Sequence, residues 1–381
     1  MFADELIRLR EKHLFRSIRD REPCQNGAGL ARIVTGGTTY INFSSNDYLG
    51  LGASPAVCNS ARKAIDLFGF GSGASRLLSG GTSLHRDLER LIARLKGTKS
   101  AVVMNSGYTA NLAVIPAVAR EGDVIFSDEL NHASIVDGCR LSRARTLIYR
   151  HRDAAHLAEL LEREKSGRKI VVTDTVFSMD GDIAPLADLY GLCRDYDAVL
   201  YIDDAHGTGV LGKGRGGLAH CGLAPDDGVI QMGTCSKALG SCGAFVAATA
   251  DVIDWLINTA RGLIFSTALP ACAAAASIAA LQVMQGDGSY VDRLWRNRER
   301  LYQGIRALGI DTGRSETPII PLIVGDLDRT MRLSEHLRHH RLYAPVIRPP
   351  TVRTPRIRVT VTAAHTDEDI DTFLNVLAKG L

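Results

Sequence analysis

From about residue 98 to 250, short runs of β-branched and aromatic residues alternate with stretches whose apolar positions recur at helical spacing. "KSAVVMNSG", "DVIFSDE", "RTLIYR", "KIVVTDTVF", "AVLYIDDAH" and "GVIQMGT" read as strands. Their apolar runs are nearly continuous, as in strands buried on both faces. "YTANLAVIPAVAR", "DAAHLAELLEREK" and "PLADLYGLCRDY" place helices between several of them. The alternation predicts an α/β fold with a mostly parallel central sheet covered on both faces. In such a sheet the loops leaving the carboxyl ends of the strands build the site.

The pattern changes on either side. Residues 1–45 read as a helix and a small strand region ending near "TTYINFSSNDYLGL". After "DVIDWLINTARGLIF" comes a long helical stretch to about Leu308. "TPIIPLIVGD", "TMRLSEHLRHH", "YAPVIRPP" and "RIRVTVTAAH" then read as strand, helix, strand and strand before a last helix. The chain is thus expected to divide into an N-terminal segment (1–45), a large α/β domain (46–265) and a smaller α+β domain (266–381).

Composition narrows the class. The 381 residues are 45% apolar and 23% charged, which suits a globular fold and opposes disorder. A formal net charge of +3 is too small to imply a nucleic-acid or membrane-surface partner. The eight cysteines form no C-x-x-C pair and sit in apolar segments, which argues against zinc and disulfides and for a reduced, cytoplasmic compartment. The amino-terminal "MFADELIRLREKH" is charged and amphipathic, unlike a signal peptide. The longest apolar run, "ACAAAASIAALQVM", is too short to span a bilayer.

The glycine-rich "FGFGSGASRLLSGGTSLH" contains G-x-G, but no apolar strand leads into it, so the dinucleotide reading is weak and a loop with glycines at positive φ is the plainer one. No P-loop occurs. In "MNSGYTAN", Gly107 and Tyr108 stand where a strand gives way to a helix, either a plain cap or a seat for a phosphate. "SDELNHASIVDG" places His132 just after another strand, where a flat ring could stack on a planar ligand.

"VLYIDDAHGTG" runs an apolar strand straight into Asp203, Asp204 and His206. Buried carboxylates need a cation, so the segment reads either as metal ligands or as a carboxylate holding a protonated heterocycle. "VTDTVFSMDGD" adds Asp174, Ser178, Asp180 and Asp182 and keeps the metal reading open. The next strand ends in Thr234, with Ser236 and Lys237 following in "GTCSKALGSCGA". A lysine serves a metal poorly but forms a Schiff base with an aldehyde. An aldehyde cofactor with a ring nitrogen and a phosphate is pyridoxal phosphate, and Lys237, Asp203 and the Gly107–Tyr108 amides supply the three groups it needs.

In order along the chain, "NFSSNDYLGL", "GSGASRLLSGGTSLH", "NSGYTAN", "NHAS", "VFSMDGD", "IDDAHGTGVLG" and "GTCSKALG" resemble the motifs of the α-oxoamine synthases. The resemblance covers almost the whole chain and implies a fold-type I pyridoxal phosphate transferase, aspartate-aminotransferase-like. The carboxyl-terminal "PLIVGD" and "VIRPPTV" look most like the biotin-biosynthesis branch, which joins L-alanine to a pimeloyl thioester on coenzyme A or acyl carrier protein.

The resemblance also implies roles. Lys237 carries the Schiff base, Asp203 meets the ring nitrogen, His206 the ring hydroxyl, and His132 stacks on the ring. Ser178 and Thr234 join Gly107 and Tyr108 in holding the cofactor. Arg348 clamps the amino-acid carboxylate, with Asn46 and Thr351 lining the substrate site. Arg19, aligned through "NGAG", meets the acyl substrate. Ser266 and Thr267 reach the partner subunit's phosphate, which implies a homodimer. Two departures stand out: the loop after "PPTV" is about two residues short, and Ala74 replaces a glycine. Rival readings are a sibling synthase that uses glycine, a non-catalytic subunit of the same fold, and a metal-dependent hydrolase.

Overall fold

The computed structural model describes residues 2–11, 14–23, 29–165 and 167–381. Cys24 and most of the "NGAG" segment that placed Arg19 lie outside the described residues, whereas Arg19 itself is described.

Two short strands open the chain, β1 (Arg32–Thr35) and β2 (Thr38–Asn42). Seven follow: β3 (Ser100–Met104), β4 (Val124–Asp128), β5 (Arg145–Tyr149), β6 (Lys169–Asp174), β7 (Ala198–Asp203), β8 (Val229–Thr234) and β9 (Ala244–Ala248). Four close it: β10 (Ile319–Leu322), β11 (Leu342–Tyr343), β12 (Val346–Ile347) and β13 (Arg356–Thr360). The middle seven form one sheet in the order β3-β9-β8-β7-β6-β4-β5. Neighbours from β8 to β5 run parallel, and β9 lies antiparallel to both β3 and β8.

Two compact units divide the chain. The larger comprises residues 46–178 and 182–294, and the smaller comprises 1–45, 179–181 and 295–381. The expected boundary at 265/266 falls inside the larger unit, because the alanine-rich helix Ala271–Gly286 belongs to it.

Period-two alternation fills both faces of the large sheet. Ile170, Val172, Tyr201, Ile230 and Met232 face one apolar core with Val114 and Ile115 of the helix Gly107–Val118. Val171, Leu200, Ile202 and Val229 face another, with Leu157, Leu161, Leu186 and Leu189. Each fully buried aliphatic side chain contributes about 1.5–3 kcal/mol, so charged residues are tolerated only where the strands end.

The smaller unit has two three-stranded sheets, β1-β2-β11 and β10-β13-β12. Phe43, Leu301, Ile305, Ile320, Leu337 and Phe373 form part of its own core. No helix among the described residues is long and apolar enough to cross a membrane.

Candidate active site

β4, β6, β7 and β8 end in Asp128, Asp174, Asp203 and Thr234 at the carboxyl edge of the sheet, with Asp174 and Asp203 in register. The carboxylates that left the metal reading open each have a protein partner. Asp204 pairs with Lys96, both side chains fully buried, and also accepts from Thr208 Oγ1 and the Gly217 amide. Asp180 pairs with Arg356. Asp182 meets His151 at 2.8 Å and Arg152 at 3.2 Å. Asp174 accepts the His132 amide at 2.7 Å. Among the described residues no three His, Cys, Asp or Glu side chains are grouped to hold a metal ion.

Asp203 takes hydrogen bonds from neutral donors. Its Oδ2 accepts from Asn111 Nδ2 at 2.8 Å and its Oδ1 from the Ala205 amide at 3.0 Å. Burial raises its pKa, while the charge of Lys237 and the bond from Asn111 oppose the rise. A cation placed beside it would complete what these partners begin. His206 Nδ1 lies 2.7 Å from the Tyr48 hydroxyl, which also approaches Asn46 Oδ1 at 3.5 Å. His132 caps the helix Ala133–Ser142: its Nδ1 accepts the Ser134 amide at 3.2 Å and lies 2.7 Å from Ser134 Oγ. The rings of Tyr108 and His132 meet edge to face at 6.3 Å.

Lys237 sits in the turn between β8 and β9. The turn is closed by Cys235 N donating to Gly243 O and Ser241 N to Cys235 O, both at 2.9 Å. It tolerates little bulk. Gly240 has φ +59°, and a Cβ there would stand 2.2 Å from the Gly52 amide nitrogen. At the neighbouring strand end, Ser106 caps the helix Gly107–Val118, with its Oγ accepting from Thr109 N at 3.2 Å. A Cβ on Gly107 would stand 2.7 Å from Thr234 Cγ2, so the helix start and the end of β8 are in close approach. Thr234 Oγ1 is buried without a hydrogen-bond partner in the described chain. An orphaned hydroxyl beside a helix amino terminus fits a bound phosphate.

Ser178 follows β6 and is half-buried; Ser266 and Thr267 follow the short helix Arg261–Ile264, with Thr267 exposed. Asn46 begins the larger unit. Arg19, Arg348 and Thr351 lie in the smaller unit and line one cavity of ≈ 540 Å³ together with Arg16 and Arg338. There Arg348 Nη2 donates to Phe15 O at 2.6 Å and Arg16 Nη2 to Thr351 Oγ1 at 3.0 Å.

Tyr48, Asn111, Ser134 and Tyr201 were not singled out by the sequence reading. Asn111 was within reach of it: it stands one helical turn after Gly107 in "NSGYTAN", on the face that Gly107 presents. Tyr201 gave no such signal, because inside an apolar strand it reads as core.

Comparison with known proteins bears on this geometry. The family described as aminotransferase class I and II matches residues 38–377. The 8-amino-7-oxononanoate synthase of Geobacter metallireducens is 48% identical, over 99% of this chain and 97% of its own. A structure of a serine palmitoyltransferase variant from S. paucimobilis with bound PLP superposes with a TM-score of 0.93 at 28% identity, covering 100% of this chain and 97% of that one. The 8-amino-7-oxononanoate synthase of Francisella tularensis superposes with a TM-score of 0.78 at 26% identity, covering 89% and 97%. With that coverage and the motif series in order, the chain belongs to the α-oxoamine synthases, acyltransferases within the class I and II aminotransferase family whose cofactor is pyridoxal phosphate.

Proposed function

We propose that this enzyme condenses L-alanine with a pimeloyl thioester, on coenzyme A or acyl carrier protein, to give 8-amino-7-oxononanoate, carbon dioxide and the free thiol. The reaction would serve biotin synthesis in the cytoplasm. The observation that carries the reading is near-full-length identity of 44–48% to several relatives named for that product.

Lys237 would bond the cofactor aldehyde, Asp203 the ring nitrogen and His206 the ring hydroxyl, with His132 against the ring face. The Gly107 and Tyr108 amides, Ser178 and Thr234 would hold the remaining groups, chiefly the phosphate. When bound, the cofactor supplies an electron sink for the bond broken at the amino-acid α-carbon.

The chain's own residues do the rest. The Lys237 amine would take the α-proton of alanine and later return a proton to the product carbon. Asp203 would hold the ring proton in place, and its buried, hydrogen-bonded carboxylate favours a cationic partner. Arg348 would clamp a carboxylate through a charge-assisted bond and so fix which α-bond is broken. Asn46, His132 and Thr351 would line the substrate site, and Arg19 would meet the acyl group.

A homodimer with shared sites is part of the proposal. Ser75 bridges Thr267, which brings the glycine-rich segment beside "IFSTALP". Leu78 (80% exposed), Phe70 (71%) and Phe265 (71%) lie on these two segments. Exposed apolar side chains on two neighbouring segments suit a subunit interface, and Ser266 and Thr267 would reach the partner subunit's phosphate from there.

The test is incubation with alanine, glycine or serine against pimeloyl-, acetyl-, succinyl- and palmitoyl-CoA, reading thiol release and product mass. Alanine with the pimeloyl thioester should give the fastest release and the mass of 8-amino-7-oxononanoate. A faster reaction with glycine or serine would assign the chain to a sibling branch.

A further inference from the structure

His132 meets the ring nitrogen's partner through protein. Tyr201 O–H donates to Asn111 Oδ1 at 2.7 Å, and Asn111 Nδ2 donates to both Asp203 Oδ2 and Ser134 Oγ at 2.8 Å. Ser134 Oγ lies 2.7 Å from His132 Nδ1. Asn111, Ser134 and Tyr201 are all buried, with at most 1% of each exposed.

A count of protons fixes the direction of every bond. Asp203 accepts on both oxygens, so the amide nitrogen of Asn111 faces it; turned over, the amide would set Oδ1 against a carboxylate. Oδ1 then faces Tyr201, which has a proton to give. The two hydrogens of Nδ2 go to Asp203 and Ser134. Ser134 Oγ, having accepted one, has its own proton left for His132 Nδ1. The Ser134 amide donates to the same nitrogen at 3.2 Å. Two donors therefore converge on Nδ1, which leaves it no room for a proton, and a neutral ring must carry its hydrogen on Nε2.

We propose that Asn111 and Ser134 are positioning residues that run a hydrogen-bond relay from Asp203 to His132 and hold His132 as the Nε2–H tautomer, so that the ring offers the bound substrate a hydrogen-bond donor. Nε2 makes no hydrogen bond to the described residues, which leaves that donor to the substrate. His132 keeps an exposed side, yet partial loss of hydration lowers its pKa, Asp203 opposes this and Lys237 adds to it, and the net lowering favours the neutral ring. The relay also ties the two groups together, because the orientation that Asp203 sets at Asn111 also sets which way the Ser134 hydroxyl points. The inference rests on the reading of Asp203 and His132 as cofactor residues.

Histidine-selective 15N labelling of the full-length holoenzyme tests it, with His132 assigned as the signals lost in His132→Gln. At about pH 7 the expected pattern is a protonated Nε2 and an unprotonated Nδ1. Ser134→Ala should shift Nδ1 and lower the Nε2–H population. It should also lower kcat/KM about tenfold, the worth of one hydrogen bond, with the absorbance of bound cofactor unchanged. A proton on Nδ1 in the parent enzyme, or nitrogen shifts unmoved by Ser134→Ala, would overturn the proposal. The tautomer reads equally well in the chain stripped of cofactor. A parent chain that binds no cofactor would therefore sink the functional reading, while the relay would stand or fall on its own shifts.

Discussion

Lys237 occupies a turn whose neighbours are small, and its segment is pinned by backbone bonds on both sides of it. Its charge acts on Asp203, Asp174 and His132, so replacing it tests the chemistry of the site directly. Borohydride reduction of the holoenzyme, followed by digestion, should leave the cofactor's mass on the peptide that contains Lys237. Lys237→Ala should abolish the label while the fold persists; label on another lysine would refute the assignment. The two adjacent aspartates show how one backbone step separates structure from chemistry. Asp204 is spent on Lys96 in a buried pair, whereas Asp203 accepts from the neutral donors Asn111 and Ala205. The sequence points to Asp203 but does not show what occupies Asp204, which is Lys96, more than a hundred positions earlier in the chain.

At the level of elements, the loop after β6 is bolted to the ends of β4 and β5 by His151. Its Nδ1 meets Asp128 at 2.9 Å and its Nε2 meets Asp182 at 2.8 Å. Burial lowers the His151 pKa, but the hydrogen bonds to the two aspartates outweigh it and raise the value from 6.5 to about 9. A raised histidine pKa stabilises the fold fully below 6.5, and the contribution is lost as pH rises through about 9. Thermal unfolding should therefore show Tm falling between those values in the parent chain. His151→Gln should have a lower Tm at pH 6.5 and a flatter slope; an unchanged slope would remove His151 from the account.

The six strands read from β-branched runs all lie in the large sheet, since buried parallel strands advertise themselves by apolar continuity. β9 (Ala244–Ala248) was not read as a strand, because its alanines carry little β preference and its place is set by partners on both sides. For the same reason the antiparallel direction of β9 was invisible. The "DVIDWLINTARGLIF" helix breaks into Ala250–Thr259 and Arg261–Ile264, a change that apolar periodicity does not register.

For the whole molecule, the proposed dimer makes the strongest demand. Leu78 is exposed in the single chain, and a twofold interface would bury it twice. At about 1.5–3 kcal/mol for each buried leucine, Leu78→Asp should weaken the dimer by two orders of magnitude or more. Sedimentation should then show monomer at concentrations where the parent chain is dimeric, with turnover lost in parallel because Ser266 and Thr267 would no longer reach across. An unchanged dimer would place the interface elsewhere.

The antiparallel return of β9 also has a consequence in time. β3 lies at the end of the sheet and pairs with β9 alone, Ser100 against Ala248. Long-range pairing of this kind waits for the loop between its ends to close. Until the ribosome has passed Ala248, β3 has no strand of this sheet to join. The proposed cradle and lysine would thus be complete only with β9, the last strand of this sheet, and cofactor capture would be a late event in the synthesis of the chain.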